Sequence, residues 1–99
     1  MSNLIVFEEK SIDILTKEDV NINFDGEILM SGKQVAEALN YSNPSKAVID
    51  HVDEDCKLLL KNSDITNKKF RKLNNAGEIF LNEKGVFQII SRCQSIDYE

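Results

Sequence analysis

Four cations surround one aromatic ring in Lys68-Lys69-Phe70-Arg71-Lys72. Cations at that density bind polyanions, because each phosphate neutralised releases condensed counterions. The competing reading is a hairpin edge kept charged and solvated so that it does not pair with another strand. A second polar group lies near the centre of the chain, where Lys33, Gln34, Ser42, Asn43, Ser45 and Lys46 flank two short apolar stripes. Small polar side chains at the start of a helix suit contact with phosphates and base edges in a major groove. The candidate DNA contacts are therefore Lys33, Gln34, Ser42, Asn43, Ser45, Lys46, Lys68, Lys69, Arg71 and Lys72.

Other reactive residue types are sparse. His51, Asp53, Glu54, Asp55 and Cys56 are close in sequence, but adjacent acids in a turn do not point to a common centre, so no metal is expected. Tyr41 could stack on a base, although its place at a helix turn favours half-buried packing. There is one histidine, no glycine-rich phosphate loop and no paired-cysteine motif, which argues against an enzyme, a cofactor or a small-molecule substrate. Cys56 and Cys93 are far apart in sequence and are expected to be reduced.

Charge is distributed unevenly. The net charge is −5, and residues 1–30 alone account for it, with two lysines against seven carboxylates. From Lys57 to Lys72, six cations face only Asp64, a local excess of +5. This asymmetry fits an anionic partner on one face, as well as an ordinary solvated surface. With 99 residues, 41% of them hydrophobic and 29% charged, the chain is expected to fold as one domain over 1–99. No apolar run approaches the roughly 20 residues that span a bilayer, and the start lacks a signal-peptide pattern, so a cytoplasmic protein without membrane contact is expected.

The elements that position these residues are short. Leu4 to Phe7, Ser11 to Leu15 and Val20 to Phe24 read as strands. Asp25-Gly26 predicts a hairpin over 20–31, with Ile28 to Met30 as its second arm. At Ser31 the period becomes helical: Val35, Ala36 and Leu39 follow that cap, and Asn40 ends the helix in the left-handed region. Asn43-Pro44 starts a second helix with Ala47, Val48 and Val52 on one stripe. Cys56 to Leu60 reads as a strand and 62–68 as a loop. Phe70 to Leu73 and Glu78 to Leu81 read as a second hairpin around Asn74-Asn75-Ala76-Gly77. A final helix runs from Asn82 to about Cys93, followed by a frayed end. The expected fold class is α+β, small antiparallel β-hairpins packed on short helices, with a helix-turn-helix-like pair at about 33–52.

The run VAEALNYSNPSKAVIDHVDEDCK, residues 35–57, resembles the signature of the BRO-type amino-terminal domain of phage and prophage antirepressors and of large DNA virus proteins. The resemblance extends upstream to Phe24-Asp25-Gly26-Glu27 and downstream through Asn82-Glu83-Lys84-Gly85-Val86-Phe87-Gln88-Ile89-Ile90, covering about 20–92. Asn40 stands where glycine is usual, and Ile49-Asp50 where a basic residue is common. The resemblance implies a DNA-binding antirepressor domain, usually followed by a variable C-terminal domain, acting in a lysis/lysogeny-type switch. The alternative is a module that binds a repressor protein with little DNA contact. The acidic first third favours protein contact, whereas the helix pair and basic segment favour DNA; a homo-oligomer is compatible with either, and a nuclease ranks last.

Overall fold

The computed structural model describes the backbone of residues 4–7 and 10–92 and the side chains of residues 12–92. Its strands are β1 (Leu4–Phe7), β2 (Lys10–Thr16), β3 (Ile28–Ser31), β4 (Lys57–Leu60) and β5 (Glu78–Asn82). They form one antiparallel sheet in the order β1-β2-β3-β5-β4. The helices are α1 (Gly32–Ala38), α2 (Pro44–His51) and α3 (Glu83–Ser91). The α+β class expected from the sequence is the observed one. No helix among the described residues is long and apolar enough to cross a membrane.

The strand period of two divides the core between the faces of the sheet. On β5, Leu81 packs with the helices, beside Val35, Ala36, Val48 and Ile89, while Phe80 points to the opposite side. There it joins Leu15, Leu29 and Leu60 beneath the connecting segments that supply Val20, Phe24 and Leu73. Helices cover one face, and two irregular segments, 17–27 and 61–77, cover the other.

The helix ends follow local chemistry. Ser31 caps α1 by accepting a hydrogen bond from the Gln34 amide. Asn40 has φ +68°, and the amides of Asn40 and Tyr41 bond back to the carbonyls of Glu37 and Ala36 at 3.0 and 3.1 Å, the double closure of a Schellman end. Asn43 caps α2 ahead of Pro44, and Asn82 caps α3 through the Gly85 amide at 2.8 Å. At Gly85 a Cβ would lie 2.9 Å from the Cys56 carbonyl oxygen, so the missing side chain lets α3 approach the turn after α2.

Two hairpins expected from sequence are not formed. Gly26 does take a positive φ of 89°, but Val20 bridges Ile65 and β3 pairs with β2. Thr16 instead starts a tight turn, its amide and hydroxyl both donating to Asp19 Oδ2 at 2.8 and 2.9 Å. Phe70 to Leu73 is likewise not a strand, because β5 is already paired on both edges, by β3 and β4. The strand expected at Cys56 to Leu60 begins at Lys57, after a 3-10 turn over Glu54–Cys56. Cys93 and the end expected to fray lie outside the described residues; Cys56 is a free, buried thiol.

Candidate nucleic-acid interface

The basic segment is held as a loop on the sheet face opposite the helices. At its start, Asn67 donates to Asp19 Oδ1 at 2.9 Å, while the amides of Thr66 and Asn67 bond to the Asp19 carbonyl. At its end, the Asn62 carboxamide brackets Leu73, accepting from its amide at 2.7 Å and donating to its carbonyl at 2.9 Å. Phe70 anchors the middle from below by packing on Phe80, with ring centroids 6.3 Å apart. Lys68, Lys69 and Lys72 project into solvent from this frame.

Arg71 forms a third tie. Its guanidinium grips Glu78 through two bonds, Nη1 to Oε1 at 3.0 Å and Nη2 to Oε2 at 2.8 Å, and Nε donates to Asp13 Oδ2. Ser31 donates from its hydroxyl to the same Glu78 carboxylate. Gln34 completes the chain by accepting from the Asp13 amide at 2.6 Å and donating to Asp13 Oδ2 at 2.8 Å. The Glu78 fork, aided by Asp13, pushes the Arg71 pKa further up, so its charge is permanent. Two residues singled out from sequence, Gln34 and Arg71, thus meet on one carboxylate and fasten the loop beside the first turn of α1. Their hydrogen-bonding groups serve that junction.

The other candidates fall into two groups. Lys33 of α1 and Ser45 of α2 line a groove of about 330 Å³ with Ile49, Leu59, Asn74 and Glu78. Because Glu78 also holds Arg71, the basic loop borders this groove. Ser42 and Asn43 occupy the exposed turn between α1 and α2, where the Asn43 side chain is engaged as the cap. Lys46 lies one position beyond Ser45 and forms a 2.6 Å ion pair with Asp50. That hydrogen bond holds the exposed Asp50 carboxyl below its ordinary pKa. Tyr41 is half-buried, donating to the Ile89 carbonyl at 3.1 Å and resting 5.5 Å from the His51 ring.

Sequence inspection missed the residues that build this arrangement. Asp13, Asp19, Asn62 and Glu78 act across sequence separations of up to 58 residues and carry no local signature. Leu59 was also missed as a groove residue, since the all-apolar run Leu58-Leu59-Leu60 does not reveal which member faces solvent. Asp53, Asp55 and Cys56 do place one potential ligand atom each within 4.8 Å of one another. Burial raises the pKa of the Cys56 thiol, with Asp55 adding to the shift, which opposes the thiolate a metal would need.

Comparison with protein families finds that the model of the BRO family N-terminal domain matches residues 19–96. No curated protein and no solved structure matches the chain.

Proposed function

Because the chain belongs to the BRO family through its N-terminal domain, we propose that it is a DNA-binding regulatory domain. It acts by binding rather than catalysis, in the transcriptional control of a phage or prophage lysis/lysogeny-type switch. Its place is then the cytoplasm of a bacterial or phage-infected cell. One observation carries this reading: a basic loop tied down at Asn67, Arg71 and Leu73 and fastened to the first turn of α1 through Asp13 and Gln34. Around that frame Lys33, Lys68, Lys69 and Lys72 have no ion-pair partner among the described residues. A loop already ordered loses little conformational entropy when it meets a phosphate backbone, so its cations act at low cost. In this reading Ser42, Asn43 and Ser45 lead α2 toward base edges, Lys46 exchanges Asp50 for phosphate, and Gln34 and Arg71 set the loop's position.

A second reading, a module that binds a repressor protein, has one observation in its favour. Ile49 and Leu59, 58% and 57% exposed, both line the groove beside Lys33. Apolar walls of that kind suit a protein side chain better than a phosphate.

Salt titration separates the two. The four cations without an ion-pair partner among the described residues and Lys46, each meeting a phosphate, give a slope of log affinity against log salt of about −4.5, hence a loss of about 500-fold between roughly 50 and 200 mM. Lys69→Gln should remove one contact and reduce that loss to about 150-fold. Absence of binding to control-region and random DNA at roughly 50 mM salt, or the same slope with and without Lys69, would favour the repressor-binding module.

A further inference from the structure

The outer face of α3 carries two features that fit each other. Phe87 is 70% exposed and Ile90 44%, an unusual degree of exposure for neighbouring large apolar side chains on one helix. Beside them opens an apolar groove of about 140 Å³. Ile12 and Met30 of the sheet, Val35 and Ala38 of α1, and Val86 and Ile90 of α3 form its walls. Apolar space of about 150 Å³ suffices to hold a benzene ring, so this groove matches one phenyl side chain in size and chemistry.

We propose that α3 is a self-association face, on which two copies of this chain meet about a two-fold axis and each inserts Phe87 into the other's groove. Knob and hole lie side by side, since Val86 and Ile90 flank Phe87 in the helix and also line the groove. A surface that presents both parts is self-complementary under two-fold symmetry, where each contact occurs twice. Charge permits the approach. Although the whole chain is acidic, the exposed ions of α3 are Glu83 and Lys84, which cancel. In an antiparallel crossing the N-terminal end of each α3 faces the C-terminal end of the other, so the helix dipoles attract.

The area sets the strength. A fully buried aromatic side chain covers about 150–250 Å², so Phe87, at 70% exposed, offers about 100–175 Å². Ile90 and the groove walls raise this to about 300 Å² per copy, well short of the roughly 800 Å² per partner of a stable interface. The dimer is therefore weak and reversible.

Sedimentation velocity on the whole chain from about 5 μM to about 1 mM tests the association. The expected result is a monomer at the low end, mostly dimer at the high end, and a monomer throughout for Phe87→Asp. At about 5 μM that variant should melt with the native chain, because an exposed side chain contributes little to the fold. In a mixed sample of carbon-13-labelled and unlabelled chains, Phe87 ring protons of one copy should show contacts to the Val35 and Ala38 methyl groups of the other. A native chain still monomeric at about 1 mM would overturn the proposal, as would a dimer that survives Phe87→Asp or one without those inter-copy contacts.

Discussion

Arg71 lies in the most basic stretch of the chain, yet the structure spends its guanidinium on two carboxylates. Arg71→Ala would leave Asp13 and Glu78 facing each other without their shared cation, at side-chain exposures of only 18% and 21%. A hydrogen bond to a charged group contributes about 1.5–3 kcal/mol net, and breaking a fully buried ion pair costs about 3–5 kcal/mol. Exposed pairs lie near about 0–1 kcal/mol, and Arg71 itself is 38% exposed, so solvent screening brings the whole fork to about 2–3 kcal/mol. In a domain of this size that loss lowers the melting temperature by about 10–20 °C.

Urea and thermal unfolding, followed by circular dichroism, measure that loss directly. Lys69→Ala is the control, since an exposed lysine without an ion-pair partner among the described residues should change stability by less than about 0.5 kcal/mol. Arg71→Lys keeps the charge but not the planar fork, and should recover less than half of the loss. In a chain already carrying Asp13→Asn and Glu78→Gln, Arg71→Ala should cost far less, because no orphaned carboxylates remain. If Arg71→Ala unfolds like the native chain, within about 0.5 kcal/mol, while DNA affinity collapses, then Arg71 is a phosphate contact and its role as a loop latch is wrong.

Further outcomes follow from two tight contacts on the helical side. Gly85→Ala should destabilise by about 1–2 kcal/mol in urea unfolding despite alanine's better helix propensity, because the new Cβ meets the Cys56 carbonyl oxygen at 2.9 Å. Native-like stability of that variant would show that α3 can shift freely. Burial, with a smaller effect from Asp55, raises the Cys56 pKa in the folded state, so the folded chain holds a proton that the unfolded chain releases above the ordinary thiol value of about 8.5. The corresponding stability is complete below that value and is lost as pH rises towards the folded pKa. A Cys56→Ala chain should therefore lose less stability than the native one between about pH 8 and 10, and identical slopes in both chains would refute the shift.

The helices were legible in the sequence because each is bounded by a side chain acting on its own neighbourhood. Ser31, Asn43 and Asn82 each accept a hydrogen bond from an amide three residues on, and Asn40 supplies the left-handed turn. The sheet was less legible because its pairings are set by competition for edges. Asp25-Gly26 turns the chain, but β3 finds β2 and β5 as neighbours, and Val20 and Phe24 are drawn into the core on the far face. Phe70 to Leu73 carries strand-forming residues and has no free edge beside β5, so its apolar members become anchors and its cations are displayed from a loop.

The same competition shapes the candidate interface. Lys68, Lys69 and Lys72 remain outward because Phe70 and Leu73 are held inward and Arg71 is tied to β2 and β5. A basic cluster in a sequence records how much positive charge is present, but its carboxylate partners decide how much of that charge remains for a ligand. Here Asp50 competes for Lys46, while Asp13 and Glu78 take Arg71, so the ligand-facing charge is smaller than the count of cations. Neutralising Asp50 should therefore strengthen DNA binding by freeing Lys46, whereas neutralising Glu78 should weaken it by loosening the loop. Opposite responses to removing one negative charge are what simple charge counting cannot produce.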